Sequence, residues 1–133
     1  MIVDLGINME DPAIQAMSFA NLSEAGTYTV RIDKTEMQYT MEGKYPRPWF
    51  KFVVTEGDKK DQSFIDSVNL PSAGDPKMLT KAGMLKSFCK CFGYVAVTSF
   101  NNDELVGRMG RVQVKMEKKR DTDEYVARVA AYL

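Results

Sequence analysis

The order in which hydrophobic periods follow one another is the feature that most limits how this chain can fold. Four segments place their residues on two sides with period 2, as strands typically do, and a fifth, mostly apolar segment is also predicted to be a strand. These segments are residues 26–33, 49–56, 63–70, 110–117 and 124–132. The spacing of apolar residues becomes helical once, between the third and the fourth of them. The sequence therefore predicts three strands, one helix and two further strands.

The predicted helix follows a turn-forming Pro-Ser-Ala-Gly stretch at residues 71–74. Asp75 stands where an N-cap is expected, and Pro76 suits the first helical position. Gly93 stands where a helix commonly ends in the left-handed conformation. The face that we expect to be buried carries Met78, Leu79, Ala82, Leu85, Cys89 and Phe92, with Phe88 beside them.

This order of elements indicates one fold. Three strands, a helix and two strands follow one another in the five-stranded Greek-key barrel called the OB-fold. We therefore expect an all-β domain over residues 25–133, with its helix between strands three and four. Residues 1–24 are expected to form an arm that packs on the barrel through Phe19 and Leu22. Within the arm, residues 12–17 are predicted to form a helical turn capped by Asp11.

The second predicted strand combines a core face with a polar face. Its apolar face consists of Phe50, Phe52 and Val54. Its opposite face consists of Trp49, Lys51, Val53 and Thr55. A tryptophan ring beside a lysine on an exposed face could stack on a base and pair with a phosphate. The sequence leaves a second arrangement open, in which the strand is covered on both sides and Trp49 belongs to the core.

Two predicted connections, residues 35–48 and residues 118–123, are rich in rings or basic residues. In an OB-fold, these two loops flank the face that binds oligonucleotides. We therefore expect bases to stack on Trp49 and on at least one further ring, and nearby cations to meet phosphates. The further rings are Tyr39, Tyr45 and Phe50. The residues expected to bind nucleic acid are Arg31, Tyr39, Lys44, Tyr45, Arg47, Trp49, Lys51, Arg111, Lys115, Lys118, Lys119 and Arg120.

Charge is balanced in total but not in distribution. The chain carries 18 basic and 18 acidic residues, so its net charge at pH 7 is zero. Residues 1–25 hold four acidic residues and no base, whereas residues 107–120 hold six basic residues against one glutamate. This asymmetry indicates a local basic surface. The zero total, in contrast, slightly favours a protein partner over nucleic acid.

Composition also argues against several classes of protein. The chain has no histidine, which removes the usual general base of Ser–His and Cys–His catalysis. Its two cysteines, Cys89 and Cys91, cannot complete a four-coordinate zinc site by themselves and are expected to be buried or half-buried thiols. The sequence lacks the tight carboxylate cluster expected of a metal enzyme. We therefore expect a protein that is not an enzyme and that needs no metal or cofactor.

Membrane association is not expected either. No apolar run reaches the roughly 18 residues of a membrane span. The first residues lack the basic start and apolar stretch of a signal peptide. We therefore expect an intracellular protein.

Three stretches carry a resemblance to a known family: SEAGTYTVRIDKTE, GKYPRPWFKFVVTEG and DELVGRMGRVQVK. They resemble a family of phage and prophage proteins, single-domain and of the OB-type single-stranded DNA-binding kind, often known only as a domain of unknown function. The resemblance implies a protein that coats single-stranded DNA in phage DNA replication or recombination. It also implies the cytoplasm of a bacterial host and replication or recombination proteins as partners. The chain ends in Arg-Val-Ala-Ala-Tyr-Leu, whereas bacterial single-strand binders end in an acidic tail, so recruitment of partners by such a tail is not expected.

Two hypotheses thus stand side by side. The favoured one is sequence-tolerant binding of single-stranded DNA, with RNA as the other nucleic acid that the same surface could take. The alternative is a small phage-type β-barrel structural or assembly protein whose exposed rings bind a protein. A carboxylate metal enzyme is the third and weakest. The sequence does not determine the oligomeric state, the length of nucleic acid bound, or whether Trp49 faces solvent or core.

Overall fold

The structure, a computed structural model, describes residues 1–8, 21–40 and 45–133. Within them, five strands form one antiparallel sheet in the order β3-β2-β1-β4-β5. The strands are β1 (Gly26–Thr40), β2 (Tyr45–Val54), β3 (Ser63–Ser67), β4 (Met109–Lys118) and β5 (Tyr125–Tyr132). Helix α1 (Met78–Cys91) lies between β3 and β4, followed by a short 3-10 helix (Asn102–Leu105). The prediction of a mostly β domain with a helix after the third strand is confirmed.

The two outer strands of the sheet, β3 and β5, lie side by side and are joined through side chains. Asp66 on β3 accepts a hydrogen bond from the backbone N–H of Val129 on β5, with 2.8 Å between Oδ2 and N. Arg128 on β5 donates from Nη1 to the carbonyl oxygen of Ile65 on β3 at 2.9 Å. The sheet is therefore curled, and we call the line where β3 meets β5 the seam.

The first hairpin is longer than predicted. Residues 35–48 were expected to form a connection, but β1 runs to Thr40 and β2 begins at Tyr45. An irregularity in the pairing between Ile32 and Lys34 shifts the register and moves later residues of β1 to the opposite face. Before Trp49, residues 45–48 of β2 form strand pairs with β1 only. The two prolines of β2 lie in this part, where one side of the strand is an edge that needs no N–H donor.

The core lies inside the curled sheet and is closed by α1. The residues at its centre are Val30, Ile32, Phe50, Phe52, Val54, Phe64, Phe88, Phe92, Leu105, Val112 and Val114. The apolar face of β2 is therefore as predicted. Phe50 was also expected to be a ring on which a base stacks, but it is 1% exposed and cannot be one. Val53, which alternation placed on the opposite face, is buried as well. Its cross-strand neighbour Ser63 is also buried, where Asn21 and Leu22 run beside β3.

Helix α1 begins two residues later than predicted. Asp75 does not cap the helix; its Oδ1 accepts a hydrogen bond from Lys77 N at 2.8 Å, which stabilises the turn before the helix. Gly93, with φ +65°, has the left-handed conformation that was expected after the last helical turn.

The buried stripe of α1 is also shifted towards its C-terminal end. Phe88 is fully buried, with its ring 5.0 Å from that of Phe50, whereas Leu79 is 80% exposed. The last turn of α1 packs so closely on β4 that a Cβ added to Gly110 would lie only 2.7 Å from Cys91 Sγ. Cys89 is buried and Cys91 half-buried, as expected of structural thiols.

The remaining boundaries differ from prediction by a few residues. Strand β3 ends at Ser67 instead of residue 70, and the loop after β4 spans residues 119–124. Leu22 is buried, as expected of the arm, whereas Phe19 and the helical turn predicted at residues 12–17 lie outside the described residues. The described helices are too short or too polar to span a bilayer.

Candidate nucleic-acid interface

A groove with a volume of about 380 Å³ lies over the seam. It draws side chains from β2, β3, α1, β4 and β5. Its lining consists of Arg47, Trp49, Asp66, Ser67, Val68, Asn69, Met84, Lys115, Glu117, Arg128, Val129 and Tyr132. We call it the seam groove. Three of the residues that the sequence predicted to bind nucleic acid, on two different strands, are brought together in it.

Trp49 lies on the outer side of β2, half-buried, between Glu36 of β1 and Ser67 of β3. The structure therefore places the ring neither in the core nor in open solvent. The guanidinium of Arg47 lies over the ring, with 5.9 Å between Cζ and the ring centroid, a geometry that allows a cation–π interaction. One flat surface of the indole is thus partly covered by a cation.

Two N–H donors in this groove have no acceptor within the part of the chain that the structure describes. Arg47 Nε and Trp49 Nε1 are both buried and have no hydrogen-bond partner among the described residues. A buried donor without an acceptor costs about 1–3 kcal/mol. An acceptor oxygen brought by a ligand would remove that cost once the two side chains move to meet it.

On the other side of the seam groove, two cations face each other. Lys115 of β4 and Arg128 of β5 are direct cross-strand partners, an arrangement of like charges that destabilises a sheet. Glu117 relieves part of this repulsion through an ion pair with Lys115, at 3.6 Å between Nζ and Oε2. Because both members of that ion pair are exposed, it contributes little. A bound phosphate would offset the remaining repulsion.

Asp66 forms the acidic side of the groove. Burial raises the pKa of its carboxyl above the ordinary value, and the N–H groups of Val129 and Ser67 and the charge of Arg128 oppose that rise. Burial also raises the pKa of the Tyr132 hydroxyl, so the phenol stays neutral. With three cations against Asp66 and Glu117, the lining carries a formal charge of +1 when both carboxyls are ionised.

Other predicted residues lie on the same outer surface, outside the groove. Lys51 lies two residues from Trp49 along β2, between Lys34 and Ile65. Arg31, on β1, is exposed and forms a 4.0 Å ion pair with Asp33. Both cations therefore lie beside the seam groove and do not line it.

The remaining predicted residues occupy three separate places. Tyr39 and Tyr45 are 64% and 50% exposed towards the far end of the β1–β2 hairpin. Arg111 lines a different cavity with Thr29 and Glu56. Lys44 lies outside the described residues.

Three bases, at the last residue of β4 and in the β4–β5 turn, are exposed and line a cavity of their own with Asp121 and Asp123. They are Lys118, Lys119 and Arg120. Lys118 Nζ lies 3.7 Å from Asp123 Oδ1 in an exposed ion pair.

Nine of the twelve lining residues were not among those predicted to bind nucleic acid, and they include Asp66, Met84, Arg128 and Tyr132. Two of these residues stand out in the sequence. Asp66 interrupts the apolar alternation of the third strand, and Arg128 is the one base within an otherwise apolar final strand. No group of three His, Cys, Asp or Glu side chains within the described residues is arranged to hold a metal ion.

The family model described as "Protein of unknown function (DUF669)" matches residues 11–132. The chain therefore belongs to this family. No curated protein matches the chain. The family description assigns no activity.

Proposed function

We propose that this member of the family is a sequence-tolerant single-stranded DNA-binding protein that acts in phage DNA replication or recombination. The observation that carries the proposal is the seam groove. It gathers the single tryptophan of the chain with Arg47, Lys115 and Arg128 from three strands. Aromatic rings beside a positively charged groove are the usual equipment for binding single strands without reading their sequence.

The topology supports an OB-fold as the scaffold. The sheet order β3-β2-β1-β4-β5, with β3 and β5 in contact, suits a five-stranded Greek-key barrel closed at the seam. The helix between β3 and β4 fits the same fold. In an OB-fold the outer face of strands two and three binds the ligand, and here that face carries Trp49 and Ser67.

The division of roles follows from the geometry. A base would stack on Trp49, a contact worth about 1–3 kcal/mol. Arg47 partly covers one surface of that ring, so we propose that Arg47 moves from the ring to a phosphate when the base arrives. Lys115 and Arg128 would bind phosphates on the opposite wall. Contacts of these kinds carry no base information, and the affinity should fall steeply with salt.

The test is a fluorescence titration of the wild-type protein. We expect oligo-dT of about 16 nucleotides, the upper end of the site size of one OB-fold, to quench the emission of Trp49. The apparent affinity should fall linearly on a log–log plot against salt, with a slope of about −0.7 for each phosphate contact. A duplex of the same length serves as the matched control and should bind more weakly, because its bases cannot reach the ring.

Two outcomes would contradict the proposal. One is the absence of both quenching and salt-dependent binding, which would favour the alternative of a barrel that binds a protein partner. The other is duplex binding that equals single-strand binding, which would assign the cations to backbone contacts alone. An oligo-U titration distinguishes RNA from DNA as the preferred single strand.

A further inference from the structure

A second and larger groove lies away from the seam, between α1 and residues 93–100. Its volume of about 1000 Å³ is at the top of the range of roughly 300–1,000 Å³ typical of ligand sites. Leu85 and Phe100 lie half-buried in its lining, whereas Val95 and Val97 are 81% and 87% exposed. We call it the helix groove. Exposed apolar side chains gathered around a concavity are typical of interaction sites.

The polar part of the helix groove is basic. Lys86 and Lys90 belong to its lining, and both are exposed. None of the described residues that line it carries a carboxylate. A partner that fits this surface therefore offers apolar side chains together with negative charge.

The chain itself carries a segment of that chemistry. Residues 1–8, Met-Ile-Val-Asp-Leu-Gly-Ile-Asn, contain one acidic residue and no base. Their apolar side chains are exposed: Val3 63%, Leu5 62% and Ile7 62%, with Ile2 at 99%. The free energy falls when an apolar surface covers such a row of exposed aliphatic side chains. Asp4 lies within the row and could pair with a lysine.

We propose that residues 1–8 of one copy dock in the helix groove of a second copy, so that the chain self-associates. Leu5 and Ile7 would cover the apolar lining, and Asp4 would lie near Lys86 and Lys90. In the structure the segment is exposed and is not seated in the groove of its own chain, which is why we assign the second copy as the occupant. This inference does not depend on nucleic-acid binding.

The experiment measures association of the full chain without nucleic acid, by sedimentation velocity over a range of concentrations. The protein is prepared without an N-terminal tag, because a tag would alter the segment under test. We expect concentration-dependent association of the wild type and its loss in Leu5→Asp with Ile7→Asp, two changes at exposed positions that leave the core untouched. Lys86→Glu with Lys90→Glu should weaken association about tenfold, equivalent to about 1.4 kcal/mol. Lys60→Glu with Lys77→Glu makes the same charge change outside the groove and should leave association unchanged.

Two further measurements make the assignment sharper. Adding Asp4→Lys to Lys86→Glu with Lys90→Glu should restore part of the lost association, because the charges are exchanged. A fluorescein-labelled peptide of residues 1–8 should bind the full-length Leu5→Asp, Ile7→Asp variant and be displaced by the unlabelled peptide. A wild type that stays monomeric at every concentration overturns the proposal. If the peptide nevertheless binds, docking occurs within one chain. The proposal is also overturned if neither Leu5→Asp with Ile7→Asp nor Lys86→Glu with Lys90→Glu weakens association.

Discussion

The carboxylate of Asp66 joins the two outer strands of the sheet by accepting the backbone N–H of Val129, at 2.8 Å. Its other oxygen accepts the N–H of Ser67, also at 2.8 Å. A side chain of β3 thus does what a backbone carbonyl does elsewhere in the sheet. Because the seam groove lies over this contact, the wall that carries Trp49 and the wall that carries Arg128 are held together partly by Asp66.

The first prediction concerns the pH dependence of stability. Burial raises the folded pKa of Asp66 above its ordinary value of 3.8, so the folded state favours the protonated form. The resulting stabilisation is complete below pH 3.8 and is lost as the pH rises through the folded pKa. The free energy of unfolding of the wild type minus that of Asp66→Asn should therefore fall with rising pH and then level off. Urea denaturation at several pH values measures it, and a difference that grows with pH contradicts the effect of burial.

The second prediction concerns Trp49. Trp49→Ala should weaken binding to oligo-dT by about 1–3 kcal/mol. Because the ring is only half-buried, the loss of stability should stay below the roughly 3–5 kcal/mol of a fully buried aromatic residue. Trp49→Phe is the matched control and should retain a stacking surface. Unchanged binding together with a core-sized loss of stability would assign the ring to structure alone.

The third prediction separates the two facing cations. Lys115→Ala and Arg128→Ala should each lower the magnitude of the salt slope by about 0.7. Only the change at Arg128 also removes the hydrogen bond to Ile65. This variant should therefore lose about 0.5–1.5 kcal/mol more in the free energy of unfolding than the Lys115 variant. Arg128→Lys keeps the charge and should keep the slope. Equal effects of the two alanine variants on stability would show that the seam bond contributes nothing.

The fourth prediction concerns the β4–β5 turn. Replacing Lys118, Lys119 and Arg120 by alanine should weaken binding to every oligonucleotide sequence alike, since phosphate contacts carry no base information. The salt slope should flatten by about 2, which is three contacts at about 0.7 each. Alanine at Lys59, Lys60 and Lys77 removes the same charge outside both grooves and is the control. If both triple variants behave identically, the turn has no specific place at the ligand.

The fifth prediction concerns the docking of α1. Phe88 is fully buried and contacts the rings of Phe50 and Tyr132, so Phe88→Ala should cost about 3–5 kcal/mol in the free energy of unfolding. Leu79 is 80% exposed, and Leu79→Ala should stay within about 0.5 kcal/mol of the wild type. Leu85→Ala, at a half-buried position, should fall between them. A large cost at Leu79 would mean that α1 packs by another face.

The sequence by itself determined the features that depend on neighbouring residues. Alternation in β2 predicted the core face of Phe50, Phe52 and Val54, and helical spacing predicted α1 with its end at Gly93. Side-chain period and turn chemistry are properties of a few consecutive residues, so they can be recognised without the fold. The same local signals identified Arg47, Trp49 and Lys115 as candidates, although they could not show that these residues meet.

The tertiary structure decided the phase of β1 and the composition of the seam groove. The shift between Ile32 and Lys34 reverses which residues face outwards, and a pairing irregularity of this kind leaves no mark in the alternation itself. Arg128 and Asp66 join the groove only because β3 and β5 meet. Which sheet edges meet depends on the curl of the whole sheet and on residues far apart in the chain, and for that physical reason no local pattern could specify it.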